Sequence, residues 1–261
     1  MSQPFTHLRS DGRADDEARP LELTLDFVKY PEGSVLARAG DTVVVCNVTV
    51  EGRVPPFLRD TGEGWLTSEY AMLPRATEER TQRESSRGRI SGRSAEIQRL
   101  IGRSLRAALD MGLVGERTLL VDCDVLQADG GTRTTAITGA FVAVVLALLK
   151  LKTSGALRTW PVKDQVAAVS VGMLSGRMLL DLAYQEDSRV GVDLNLVGTA
   201  RRGIVEIQGT AEREQFSRNE LDRLLDLAEK GLERAFAAQR TVLEKRMADA
   251  GVAQLVPAPR A

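Results

Sequence analysis

Histidine is nearly missing from this chain: of 261 residues, only His7 is one. That excludes a histidine-based catalytic triad and a Cys/His zinc site, since each needs ligands or partners that are not there. The two cysteines, Cys46 and Cys123, stand apart inside apolar, strand-like runs with no Cys-x-x-Cys spacing. They read as reduced core thiols, which fits a cytoplasmic protein. The N-terminus has no apolar leader, so no signal peptide is expected. The longest apolar run, about Ala136–Leu149, is too short for a bilayer and is followed by Lys150 and Lys152, which points to a buried helix and no membrane contact. A phosphate loop of the Gly-x-x-x-x-Gly-Lys-Ser/Thr type is also missing, which excludes a P-loop NTPase. Lysine is scarce: 29 of the 35 basic residues are arginine, a bias that a GC-rich genome produces without functional meaning.

What is present suits one large domain or two intimately packed halves, with 43% hydrophobic residues to build a core. Residues 1–19 are polar and read as a loose N-terminus. From Leu21 a meander of strands is predicted over Leu21–Val28, Val35–Arg38 and Thr42–Val50. Residues 51–92 break the pattern, with Pro55-Pro56, several glycines and many charges. A helix follows from Ser94 with Gly112 as its stop, then a strand over Thr118–Leu126 and an all-apolar helix over Thr134–Lys152. The second half repeats the plan. Hairpins span Gln165–Leu174 with Arg177–Tyr184, and Gly191–Val197 with Gly203–Gln208. A capping box at Ser217-Arg-Asn-Glu220 starts the last helix, which runs towards Met247. The tail from 247 to 261 reads as loose. The class is α+β, divided into 20–160 and 161–246.

Two features carry chemistry. The first is Asp122-Cys-Asp-Val-Leu-Gln-Ala-Asp-Gly-Gly-Thr-Arg-Thr134, read as a strand, a glycine turn and a helix start. Gly130 and Gly131 allow close approach of backbone to a ligand. Thr132, Thr134 and Thr135 offer hydroxyls, and Arg133 a planar donor fork. Together with helix-start amides they suit a phosphate or oxyanion, although a plain strand-to-helix turn needs glycine too. The second is a basic stretch. Between Arg75 and Arg106 there are nine arginines against four glutamates, in a chain of net charge −1. Such a segment binds nucleic-acid phosphates without reading sequence. Ion pairing on helix faces, Glu96 with Arg99 or Arg103, is the plainer use. The stretch has few aromatics, so base stacking is a minor part of it.

The run Leu126-Gln-Ala-Asp-Gly-Gly-Thr-Arg-Thr134 resembles the signature of the ribonuclease PH family of phosphate-dependent 3′→5′ exoribonucleases. Further stretches match in order: Glu32–Val35, Gly64–Arg75, Gly92–Arg99, Ala167–Gly172, Glu186-Asp187-Ser188, Asp193-Leu-Asn195 and Glu206–Glu212. The resemblance covers roughly Arg13 to Leu243. It implies a ribosomal protein S5 domain 2-like fold of the βαβα type, with both halves sharing one core. It implies a phosphate site at Gly131, Thr132, Arg133 and Arg93, and a catalytic pair, Asp187 and Asp193, that holds a divalent metal such as Mg2+ or protonates the leaving 3′-oxygen. Standing alone, two aspartates bounding a turn are as readily turn formers.

The resemblance further implies trimming of tRNA 3′ ends with release of nucleoside diphosphates, the reverse addition of nucleotides, and a ring-shaped homohexamer built as a trimer of dimers. Arg75, Arg80, Arg83, Arg87, Arg89 and Arg99 are the candidate RNA-binding residues, with Arg75 and Arg80 also candidates for the ring interface. The alternative is a non-catalytic, RNA-binding ring subunit of an exosome-like assembly. Such subunits lose the phosphate loop or the aspartates, and this chain retains both.

Overall fold

The computed structural model describes residues 9–256, the Arg87 side chain excepted. Strands β1 (Leu21–Leu25), β2 (Gly33–Ala39) and β3 (Thr42–Glu51) form the expected antiparallel meander. Strand β5 (Thr118–Gln127) pairs antiparallel with β3, and β4 (Trp65–Met72) lies parallel to β5 at the edge, for an order β1-β2-β3-β5-β4. Here β4 corrects the sequence reading, which left 51–92 without regular structure. Its buried positions are Leu66, Ser68 and Tyr70. Two of the three carry hydroxyls, so the period-two pattern is nearly silent in hydropathy.

A parallel pair needs a crossover, and α1 (Gly92–Ala107) followed by the short α2 (Met111–Val114) supplies it. The Ser91 side chain caps α1 by accepting from the Ser94 amide, 3.1 Å away. The helix ends at Ala108 rather than at Gly112, because Asp110 caps α2 through the Leu113 amide. Cys46 and Cys123 face each other across β3 and β5, both buried and both free.

The second sheet is fully antiparallel, in the order β7-β6-β8-β9, from β6 (Val166–Leu174), β7 (Arg177–Leu180), β8 (Val192–Thr199) and β9 (Ile204–Ala211). Strand β7 stops four residues short of the expected Tyr184. Asp181 turns the chain with a φ of +53°, and Tyr184–Asp187 winds into one helical turn, α4.

Helix α3 (Thr132–Thr153) packs on β2 and β3 with one face and on β6 with the other. The approach is so close that a Cβ on Gly33 would stand 1.9 Å from the Ala143 carbonyl oxygen. By length and composition α3 suffices to cross a bilayer, but 89% of its apolar window is buried in the fold, as in a core helix. One hydrophobic core runs from Leu23 and Val35 through Phe141 to Val166, Val197 and Leu243, so the halves share it as expected. Helix α5 (Arg218–Asp249) starts at the expected capping box: Ser217 Oγ accepts from the Glu220 amide at 3.2 Å, and Glu220 Oε2 from the Ser217 amide at 2.7 Å.

Both ends differ from the loose segments expected. Arg9, Arg13 and Arg19 are buried, and so are Val252 and Leu255, whose carbonyl accepts from Trp160 Nε1 at 3.0 Å. Residues 1–8 and 257–261 lie outside the described residues.

Candidate phosphate and RNA site

The turn between β5 and α3 is built on two left-handed glycines, Gly130 at φ +74° and Gly131 at φ +65°. A Cβ on Gly130 would lie 2.4 Å from the Leu182 carbonyl oxygen. Its glycine therefore admits the chain that leads into α4, not a ligand, which corrects the reading of that residue. Gly131 caps α3 with no side chain, and the first helical bond runs from the Thr135 amide to the Gly131 carbonyl at 3.0 Å. The amides of Thr132, Arg133 and Thr134 precede that bond, at the positive end of a 22-residue helix. The hydroxyls of Thr134 and Thr135 donate to the Gly131 carbonyl at 2.8 and 2.9 Å and are buried, so they serve the turn itself. The Thr132 hydroxyl accepts from Tyr70 Oη at 2.8 Å, which leaves its own proton to donate. Burial pushes the Tyr70 phenol up, against the pull of the Thr132 contact and of Arg93 and Arg133. It stays a donor at neutral pH.

Asp187 closes α4 and Asp193 lies on β8. The two carboxylates feel each other and the arginines. Partial burial raises the Asp187 pKa, while Arg93 and Arg133 draw it back and Glu212 adds to the rise. Asp193 is half-buried, and desolvation, with Asp187 beside it, lifts its pKa to about 6. The Asn195 amide donates to Asp193 Oδ2 at 3.3 Å. Arg93 at the start of α1 and Arg133 at the start of α3 thus act on the Asp187 carboxyl, and Arg133 and Asp187 on that of Asp193. Among the described residues, no group of three or more His, Cys, Asp or Glu side chains is placed to hold a metal by itself. A crowded carboxylate pair does suit Mg2+, which binds through one or two carboxylates and completes its shell with water and substrate phosphate.

Sequence reasoning missed the N-terminal arginines. Arg9 grips Glu186, next to Asp187, with Nε 2.6 Å from Oε1 and Nη2 on Oε2, and donates to the Leu180 and Asp181 carbonyls. Arg13 donates to the Asp181 carbonyl at 3.0 Å. Arg19 binds Asp181 and the Asp129 carbonyl. Asp11 and the Glu17 carbonyl are local partners, but the groups that bury these arginines, Glu186, Asp181 and the Asp129 carbonyl, lie more than 100 residues away, so no local signal announces them.

Arg133 is held by Gln208 of β9, and Gln208 in turn by Glu96 of α1. Glu96 therefore faces Arg133, 3.5 Å away, rather than Arg99 or Arg103. Arg103 pairs with Glu206, while Arg106 donates to the Leu66 carbonyl and lies over the Trp65 ring. Arg75, Arg80, Arg83, Arg89, Arg93 and Arg99 are exposed, and none makes an ion pair among the described residues. The Arg87 side chain falls outside them. Between β4 and α1 the only regular piece is a 3₁₀ turn over Glu84–Arg87, and Glu84 ties that turn to α1 by accepting from Ser94 Oγ at 2.7 Å.

Residues 17–150 match the model of the 3′ exoribonuclease family, domain 1, and residues 164–231 that family's domain 2. The chain is 58% identical over 235 residues to the ribonuclease PH of Syntrophomonas wolfei, covering 90% of this chain and 98% of that one. It is 56% identical over 237 residues to the ribonuclease PH of Bacillus subtilis, covering 90% and 97%. Among solved structures, rice (Oryza sativa) Rrp46 is similar with a TM-score of 0.71 at 20% identity, over 90% of this chain and 100% of that one. An Archaeoglobus fulgidus exosome with RNA bound to its active site matches with a TM-score of 0.71 at 23% identity, over 92% of each chain. These two likenesses concern the fold.

Proposed function

The chain belongs to the 3′ exoribonuclease family typified by ribonuclease PH, and from that membership we infer that it is a phosphate-dependent 3′→5′ exoribonuclease that trims tRNA precursors in the cytoplasm. Inorganic phosphate is the co-substrate. It attacks the last phosphodiester, the bond to the 3′-oxygen of the preceding nucleotide breaks, and a nucleoside diphosphate leaves. The same chemistry run backwards adds nucleotides.

No covalent nucleophile is needed, so positioning and charge do the catalytic work. The α3 amides, the Thr132 hydroxyl and the forks of Arg133 and Arg93 receive the attacking phosphate. Asp187 and Asp193 would hold a divalent cation, with Mg2+ the fitting choice, and its charge would offset that of the phosphates. Where no cation is bound, Asp193 keeps a pKa of about 6 and is suited to give the leaving 3′-oxygen its proton instead. The exposed arginines Arg75, Arg80, Arg83, Arg89 and Arg99, with Arg87, lead the RNA to the site. Exposed apolar side chains, among them Phe57, Ile90 and Ile204, support assembly into a homohexameric ring.

The observation that carries this reading is the match to both domains of the 3′ exoribonuclease family with Arg93, Arg133, Asp187 and Asp193 all retained, both arginines being close enough to act on the Asp187 carboxyl. A non-catalytic ring subunit has no use for that convergence. Incubation with a 3′-extended tRNA, with and without phosphate, tests it: nucleoside diphosphates form only when phosphate is present. Product of any kind at the same rate without phosphate overturns it.

A further inference from the structure

We infer that Gln208 is a positioning residue for phosphate: it stands as a neutral amide between Arg133 and Glu96 and so keeps the carboxylate off the guanidinium that receives the anion. The inference rests on Arg133 being a phosphate ligand. Three elements meet here, the first turn of α3, the first turns of α1 and the middle of β9. Arg133 Nη1 donates to Gln208 Oε1, and Gln208 Nε2 donates to Glu96 Oε1. A guanidinium has no acceptor and a carboxylate no donor, so only a group with both, such as a primary amide, can satisfy them from between.

Arg133 and Glu96 stand 3.5 Å apart. That is ion-pair range, but longer than the ~2.7–2.9 Å of a closed charge-assisted hydrogen bond. Without the amide the pair closes. The Arg133 side chain is 15% exposed, so water screens it little, and that of Glu96 is 47% exposed and has room to move. In a closed pair a carboxylate replaces the neutral amide on Nη1, and its negative charge opposes the incoming phosphate.

An independent contact fixes Gln208 in this place. Glu206 lies two residues before it on the same face of β9, and it pairs with Arg103, two turns beyond Glu96 on α1. Strand β9 is thereby fastened to α1 two residues before the amide as well as at it.

Steady-state phosphorolysis of a 3′-extended tRNA, with phosphate varied, tests the inference. Gln208→Ala should raise the KM for phosphate about ten- to a hundredfold, the range for one lost charge-assisted contact. The KM for RNA and the Tm should stay as in the wild type. Adding Glu96→Gln to Gln208→Ala removes the competing carboxylate and should bring the phosphate KM back most of the way. Gln208→Glu, which places a carboxylate directly on Arg133, should raise it at least as far as the alanine does. An unchanged phosphate KM in Gln208→Ala overturns the inference, as does a raised KM that persists in the double variant. So does a joint fall of kcat, RNA affinity and Tm, which would make Gln208 a packing residue. Arg133→Lys separates the premise from the inference. If it leaves the phosphate KM unchanged, the assignment of Arg133 itself fails. If it raises that KM while Gln208→Ala does not, only the role of Gln208 fails.

Discussion

Arg19 lays its guanidinium along Asp181, with Nε 2.9 Å from Oδ2 and Nη2 2.7 Å from Oδ1, and turns Nη1 to the Asp129 carbonyl. One side chain therefore ties the glycine turn that starts α3 to the strand end that leads into α4. The phosphate loop and the acidic turn are held by the same buried charge, supplied from the N-terminal segment.

Breaking that pair should be expensive. Arg19→Met leaves the buried Asp181 carboxylate with only Arg13, 3.6 Å away, and the residue-19 amide to face it, at a cost of about 3 kcal/mol, the low end for a broken buried pair. The pH dependence follows. Burial alone would raise the Asp181 pKa, but Arg19's hydrogen bonds and charge outweigh it and hold the carboxyl below its ordinary range. A lowered folded pKa gives stability that is present above the unfolded value and lost as pH falls through the folded one. Urea unfolding of the wild type should weaken in acid below about pH 4, and the variant should show a flatter profile there. A loss of under ~1 kcal/mol, typical of exposed pairs, would contradict the clamp.

Asp193 works in the opposite sense. Its folded pKa is raised to about 6, so its contribution to stability is fully present at low pH and is lost as pH rises through that value. Asp193→Asn in EDTA should stabilise the protein at pH 7.5 by on the order of 1–2 kcal/mol, with allowance for solvent screening, and much less at pH 4. Turnover should fall at the same time. A residue serving only as a turn former would lower the Tm and leave kcat alone. Thermal melts at both pH values, paired with kcat, decide between the two.

Gly130→Ala should push the phosphate loop off the acidic turn. The new Cβ meets the Leu182 carbonyl oxygen at 2.4 Å, in a left-handed conformation. Strain and overlap together cost about 2–4 kcal/mol, and the KM for phosphate should rise. Wild-type stability and KM would show that the loop has slack.

The double variant Arg83→Ala, Arg89→Ala removes two exposed charges that make no ion pair among the described residues. If they track RNA, the slope of log affinity against log salt should fall by about 0.7–0.9 for each lost phosphate contact. Filter binding of tRNA across a salt series measures it. An unchanged slope removes them from the track, and a change of oligomeric state in sedimentation assigns them to the ring.

Much of this was legible in the chain because the signals were local. The glycine turn, the Ser217 capping box and the apolar run of α3 each declare themselves within a few residues. Motif order groups Arg93, Arg133, Asp187 and Asp193, and the charges of Arg93 and Arg133 reach Asp187 while those of Arg133 and Asp187 reach Asp193. What escaped depended on distant partners. Tyr70 and Ser68 look polar until β4 is seen beside β5. Arg9 and Arg19 look solvated until Glu186 and Asp181, more than 160 residues on, come to meet them. Gln208 sat inside a quoted motif, but nothing in its neighbours reveals that it parts a guanidinium from a carboxylate.

In a phosphorolytic exoribonuclease it is phosphate, not water, that attacks the RNA. Incubation of the protein with a 3′-extended tRNA and isotopically labelled inorganic phosphate tests this directly, by locating the label in the released nucleotide. The account predicts nucleoside diphosphates carrying the label in the β-phosphate, one per nucleotide removed. Unlabelled nucleoside monophosphates, released at the same rate whether or not phosphate is added, would contradict it.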